Sequence, residues 1–171
     1  MEKMTSAYAN KMIKSLEEDK AYWLQNESES RTYVVAVNES PVVPDYKYEE
    51  VAAKIAELDR KIATIRHSLN LANATAHVKV GGKDMSVDTI LIRMAQLNSR
   101  KASLDWMRKQ LPKTRLTGNS YSVKTIAAEY RYINYDLAVV GRDYEAVTSE
   151  LMELQMALDR YNQVELIDVD I

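Results

Sequence analysis

The side chains that could do chemistry are of few kinds. Arg66, Arg93, Arg100, Arg108 and Arg115 are spread through the middle of the chain. Arg93 and Arg100, with Lys101, fall on or beside the apolar stripe of a helical pattern. A guanidinium group in such a place must be paired, because desolvating a bare charge costs several kcal/mol. Asp59, Glu57, Asp105 and Asp136 are candidate partners within the chain. The other solution is a bound anion, since Arg grips phosphate or carboxylate with two parallel hydrogen bonds. Asn70, Asn73 and Thr75 follow an apolar run. Their amides could read a base edge or a carbonyl and the hydroxyl could take a phosphate, although the same residue types commonly end helices and form turns. Aromatic usage is skewed, with 11 Tyr, 2 Trp and no Phe. Tyr121, Tyr132 and Tyr135 could line a polar pocket and stack on a base, or belong to a wet helical interface. The candidate ligand-binding set is Asn70, Asn73, Thr75, Arg93, Arg100, Arg115 and Tyr121.

Catalytic patterns are weak. His67 and His77 lie ten residues apart and neither belongs to an H-E-x-x-H spacing. No Walker loop, G-x-S-x-G or G-x-G-x-x-G is present. Cysteine is absent, which removes thiol catalysis, disulfides and thiolate metal sites. Glu17-Glu18-Asp19 and Glu49-Glu50 read as solvated helix faces. A net charge of -2 argues against a coat on extended nucleic acid. No metal, cofactor or catalytic role is expected.

These side chains must be positioned mainly by helices, since the chain of 171 residues has only 4 Gly and 3 Pro. Residues 4–27 read as a helix and residues 32–37, rich in Val and Tyr, as a strand. Asp45 is a candidate N-cap for a helix over 47–71. Its Val51, Ile55, Leu58, Ile62, Ile65 and Leu69 alternate spacings of four and three. A hairpin follows over 77–85, turning at Gly81-Gly82. Ser86 is a candidate N-cap for a helix over 87–110, which Pro112 stops. The same alternation from Ile126 to Tyr161 predicts a helix over 124–162, roughly 55–60 Å long. Residues 164–171 read as a strand pairing with 32–37 or with the hairpin. The fold class is mainly α: a four-helix, coiled-coil-like antiparallel bundle with a long C-terminal helix and a small β appendage. The last helix exceeds what one domain of this size needs, which predicts a homo-oligomer. An antiparallel second and third helix would bring Asn70 and Asn73 beside Arg93, with Arg100 about two turns deeper.

The N-terminus shows no apolar leader, and no window approaches 18 uninterrupted apolar residues. The expected location is the cytoplasm, with no membrane partner.

The run from Leu58-Asp59-Arg60-Lys61-Ile62 to Leu69-Asn70-Leu71-Ala72-Asn73-Ala74-Thr75 resembles the septicolysin-like family of small helical proteins from bacteria and mobile elements. The family pattern is a leucine-rich helix ending in spaced Asn and Thr, a Gly-containing turn, then a Ser- or Thr-capped helix with an Arg. Here those pieces are Asn70, Asn73, Thr75, Gly81-Gly82, Ser86 and Arg93, and the resemblance spans about residues 50–163. It implies the helical fold, and its name implies a cytolysin. The mixed-charge amphipathic helices lack the Lys-rich face opposite a Trp/Phe/Leu face that a membrane-active helix uses. The functional expectation is a non-catalytic homo-oligomer that sequesters a small anionic ligand, a nucleotide or cyclic-nucleotide defence signal. The alternative is an adaptor coiled coil that binds a protein partner.

Overall fold

Local capping chemistry sets where the helices begin. In a computed structural model, which describes residues 2–116 and 129–170, strand β1 (Glu2–Thr5) leads into helix α1 (Ser6–Ser30). The Thr5 hydroxyl accepts from the Tyr8 N–H at 3.2 Å, an N-cap bond that satisfies one of the helix's orphan donors. Helix α2 (Tyr48–Thr75) starts after Lys47 without a side-chain cap, and Glu49 and Glu50 occupy its first turn. Negative charge there opposes the positive end of the helix dipole, so Asp45 is not needed as a cap. Strands β2 (His77–Val80) and β3 (Lys83–Ser86) pair antiparallel. Gly81 and Gly82 turn between them at φ +55° and +80°, values that only Gly adopts without strain. Helix α3 (Val87–Arg108), strands β4 (Lys113–Arg115) and β5 (Tyr130–Tyr132), helix α4 (Leu137–Val164) and strand β6 (Leu166–Val169) complete the described chain.

Three sequence-based expectations change. First, the last helix does not run from 124 to 162. Residues 130–132 form β5, paired antiparallel with β4, and Asp136 caps a helix that begins at Leu137 through bonds from the Ala138 and Val139 N–H groups. Tyr130-Arg131-Tyr132 satisfies strand alternation as well as helical spacing, and the Asp136 cap decides between them. Residues 124–128 lie outside the described residues. At 28 residues α4 equals α2, about 42 Å each, so excess length no longer argues for an oligomer. Second, residues 32–37 are not a strand. They belong to the exposed connection 31–47. Val and Tyr favour strands only where a partner strand is available, and these residues have none among the described residues. Third, the C-terminal strand pairs with neither of its expected partners. β6 pairs antiparallel with β1, Met4 opposite Ile167, and β1 takes Met4 and Thr5 out of the first helix. A strand of four residues is too short to announce itself by alternation.

The chain is mainly helical, with three two-stranded antiparallel sheets among the described residues. The heaviest packing is α1 against α2 and α3 against α4. Lys20–Asp59 and Glu17–Arg66 ion pairs show that α1 and α2 run antiparallel. Arg93–Glu150 and the bond from the Tyr135 hydroxyl to the Met107 carbonyl show the same for α3 and α4. Each pair has its own core. Met4, Ala9, Ile13, Ile65, Leu69, Ile167 and Val169 are buried together in the first. Val87, Ile90, Leu97, Leu151, Leu154, Leu158 and Tyr161 form the second. The pairs meet at the end that carries β1–β6 and β2–β3, where β6 also packs on α2 and β2 on α4.

Candidate functional site

At that meeting point residues of all four helices line a half-open cavity of about 450 Å³. Its floor is apolar, from Ile13, Leu69 and Leu158, and most of its wall is polar. α1 contributes Ser6, Asn10, Lys14 and Glu17, and α2 contributes Arg66, Asn70 and Asn73. Both sets are spaced three or four residues apart, which stacks them on one face of each helix. α3 adds Leu91 and α4 adds Asn162, which lies about one turn before the β6 strand that ties the chain ends together.

The hydrogen bonding is incomplete. Asn10 donates to the Ser6 carbonyl at 3.0 Å, and Arg66 pairs with Glu17. The side-chain amides of Asn70, Asn73 and Asn162 make no hydrogen bond to the described residues. The Ser6 hydroxyl is fully buried, with the Tyr161 hydroxyl beside it. Burial pushes the neighbouring Tyr161 hydroxyl to a raised pKa, against a smaller lowering by Ser6. Each free amide offers two donors and an acceptor. The cavity therefore has unspent hydrogen-bonding capacity, two cations and one carboxylate. Among the described residues no group of three or more His, Asp or Glu could hold a metal ion, and no helix is long and apolar enough to cross a membrane.

The expected binding set is divided by the structure. Asn70 and Asn73 line the cavity together. Thr75 does not: its hydroxyl donates back to the Leu71 carbonyl at 2.8 Å, a turn-ending role. Arg93 is also elsewhere, held by both oxygens of Glu150 at 2.7 and 2.9 Å. Leu91 faces the cavity, and a residue two positions further along a helix is turned by about 200°, so Arg93 points to α4. Arg100 is exposed further along α3, and Arg115 is exposed on β4 opposite Tyr130. Tyr121 lies outside the described residues. The cation that accompanies the two Asn residues is Arg66, one turn before Asn70. Ser6, Asn10, Lys14 and Asn162 fall outside the expected set. Their spacing on α1 is visible in the sequence, but only the pairing of β1 with β6 places it beside α4.

Charge pairs on α3 and α4 are expected to contribute a small, pH-dependent share of stability. The bidentate bond from Arg93 holds the Glu150 carboxyl below its usual range. Lys109 and Arg108 do the same to Asp105, and Arg108 also lies 4.0 Å over the Tyr144 ring. A carboxyl whose pKa is depressed on folding contributes stability above its unfolded value and loses it as pH falls through the folded one. Thermal melts should therefore drop as pH falls below about 4. Glu150→Gln should lower the melting temperature at neutral pH and shrink that acid-induced drop, and an unchanged pH profile would show that the pair contributes nothing.

No protein-family model matches the chain, and no curated protein matches it. The fold is similar to the crystal structure of a functionally unknown conserved protein from Corynebacterium diphtheriae, with a TM-score of 0.70 and 16% sequence identity. The match covers 98% of this chain and 100% of that one, and at this identity the likeness establishes the fold alone.

Proposed function

We propose that the chain is a non-catalytic, homo-oligomeric binding protein that sequesters a small anionic ligand, a nucleotide or cyclic nucleotide, in the four-helix cavity. The carrying observation is the convergence of Asn10, Asn70, Asn73 and Asn162 with Lys14 and Arg66. Its volume falls in the range of about 300–1,000 Å³ usual for small-molecule sites. Amides bond in pairs to base edges, and a phosphate would compete with Glu17 for Arg66. Two of the residues that carry the septicolysin-like resemblance, Asn70 and Asn73, lie in this wall. By analogy with small proteins of mobile elements, the protein would act as a sponge that depletes a host defence messenger. The exposed valines of residues 31–47 favour the second reading, an adaptor that binds a protein partner.

Calorimetric titration with a panel of mononucleotides and cyclic dinucleotides tests the first reading. Asn73→Leu and Arg66→Met should each weaken binding by about tenfold or more, because each removes a hydrogen bond in a partly dry site. Arg93→Ala should leave the affinity unchanged. If no member of the panel binds and native mass spectrometry of the purified chain shows no retained small molecule, the cavity is structural and the adaptor reading takes its place.

A further inference from the structure

Charge on this chain is segregated. The far end of the α1–α2 pair, residues 18–60, holds ten Asp and Glu against five Lys and Arg. The far end of the α3–α4 pair, residues 100–116 and 129–144, holds eight Lys and Arg against four Asp and Glu. Among the described residues no hydrogen bond or ion pair links one far end to the other. Each end therefore presents a field of one sign with its complement elsewhere on the same chain, and complementary fields steer association and select partners.

Each end also carries an unfinished β element. In the acidic end, Thr32-Tyr33-Val34-Val35-Ala36 is rich in strand-forming residues. Yet among the described residues none of the N–H or carbonyl groups of residues 32–35 bonds to another backbone group. Val34 and Val37 are 99% and 101% exposed. In the basic end, β4 and β5 form a two-stranded sheet whose outer edges pair with no further strand among the described residues. Such a ribbon is marginal in water and gains from a third strand. Its surface is cationic and aromatic: the Lys113 ammonium lies 4.1 Å from the Tyr130 ring and 5.5 Å from that of Tyr132.

We propose that residues 32–36 of one copy add as a third strand to an outer edge of the β4–β5 sheet of a second copy. Backbone pairing supplies the unmade hydrogen bonds of 32–35. Alternation would set Tyr33 and Val35 on one face and Val34 on the other. Glu27, Glu29, Glu39 and Asp45, which outnumber Arg31 around the segment, would approach Lys113, Arg115 and Arg131. The occupant is a second copy because one chain carries both surfaces with opposite charge, so two copies can satisfy each other reciprocally in a closed pair. This inference rests on the homo-oligomeric part of the proposed function and not on its ligand.

Sedimentation velocity and amide hydrogen exchange on the full chain test it. Val35→Pro removes an N–H that makes no backbone bond to the described residues, so the monomer fold should tolerate it while the added strand cannot form. Lys113→Glu with Arg131→Glu reverses the charge of the accepting sheet. Wild type should sediment as an oligomer, and the amides of 33–35 should be protected in it and lose that protection on dilution. Both variants should weaken association by about tenfold or more with thermal melts retained. An oligomer whose association is unchanged in both variants, with 33–35 unprotected, overturns the strand addition and leaves the homo-oligomeric reading standing. A wild-type chain that stays monomeric overturns both, while the nucleotide titration still decides the ligand.

Discussion

Leu151→Asp is expected to unfold the α3–α4 pair. Leu151 is 8% exposed and sits among Val87, Ile90, Leu97, Leu154 and Leu158. Removing a buried Leu costs about 2–5 kcal/mol, and a carboxylate in its place must be desolvated at a further several kcal/mol or force the core open. Against a total stability of about 5–15 kcal/mol for a domain, that sum is enough to collapse the fold. Circular dichroism should show a large loss of helix at room temperature. The 4-3 seam taken alone points to a different result, an intact protomer that has lost its partner, because a seam can equally face another chain. A folded Leu151→Asp monomer would restore that reading and contradict the packing of α4 on α3.

Ile65→Ala and Ile90→Ala should each cost about 2–5 kcal/mol in urea unfolding, the range for a large aliphatic side chain removed from a core. Both residues are fully buried, Ile65 in the core of α1 and α2 and Ile90 in that of α3 and α4. The two cores share no residue, so the double variant should lose the sum of the two single losses within about 0.5 kcal/mol. A clear shortfall or excess would show that the two helix pairs strain or relax one another across the cavity, and the division into two cores would fail. If the pairs also unfold in separate steps, the urea transition of Ile65→Ala should split, with the α3–α4 pair surviving to higher denaturant.

Several elements are legible in the amino-acid sequence because the information that specifies them is local. Val51, Ile55, Leu58, Ile62, Ile65 and Leu69 repeat with the period of a helix whatever they pack against. Gly81-Gly82 between two short alternating runs is a turn by the steric freedom of Gly alone. The amides of Asn70 and Asn73 are recognisable as candidate donors, and their spacing places them on one face of α2. Which face meets which is decided only by the tertiary structure. Periodicity names an apolar side of a helix and does not name the neighbour, so the α4 seam can be read toward another copy although it packs on α3. Rotation of α3 by the width of two residues separates Leu91, in the cavity, from Arg93, on Glu150, and no pattern in α3 itself sets that rotation. The pairing of Met4 with Ile167 joins residues from the two ends of the chain. That pairing brings Ser6 and Asn10 beside Asn162 and so completes the cavity. Contacts at such separation in sequence are chosen by packing the whole chain at once, since their local segments are too short to favour one partner over another.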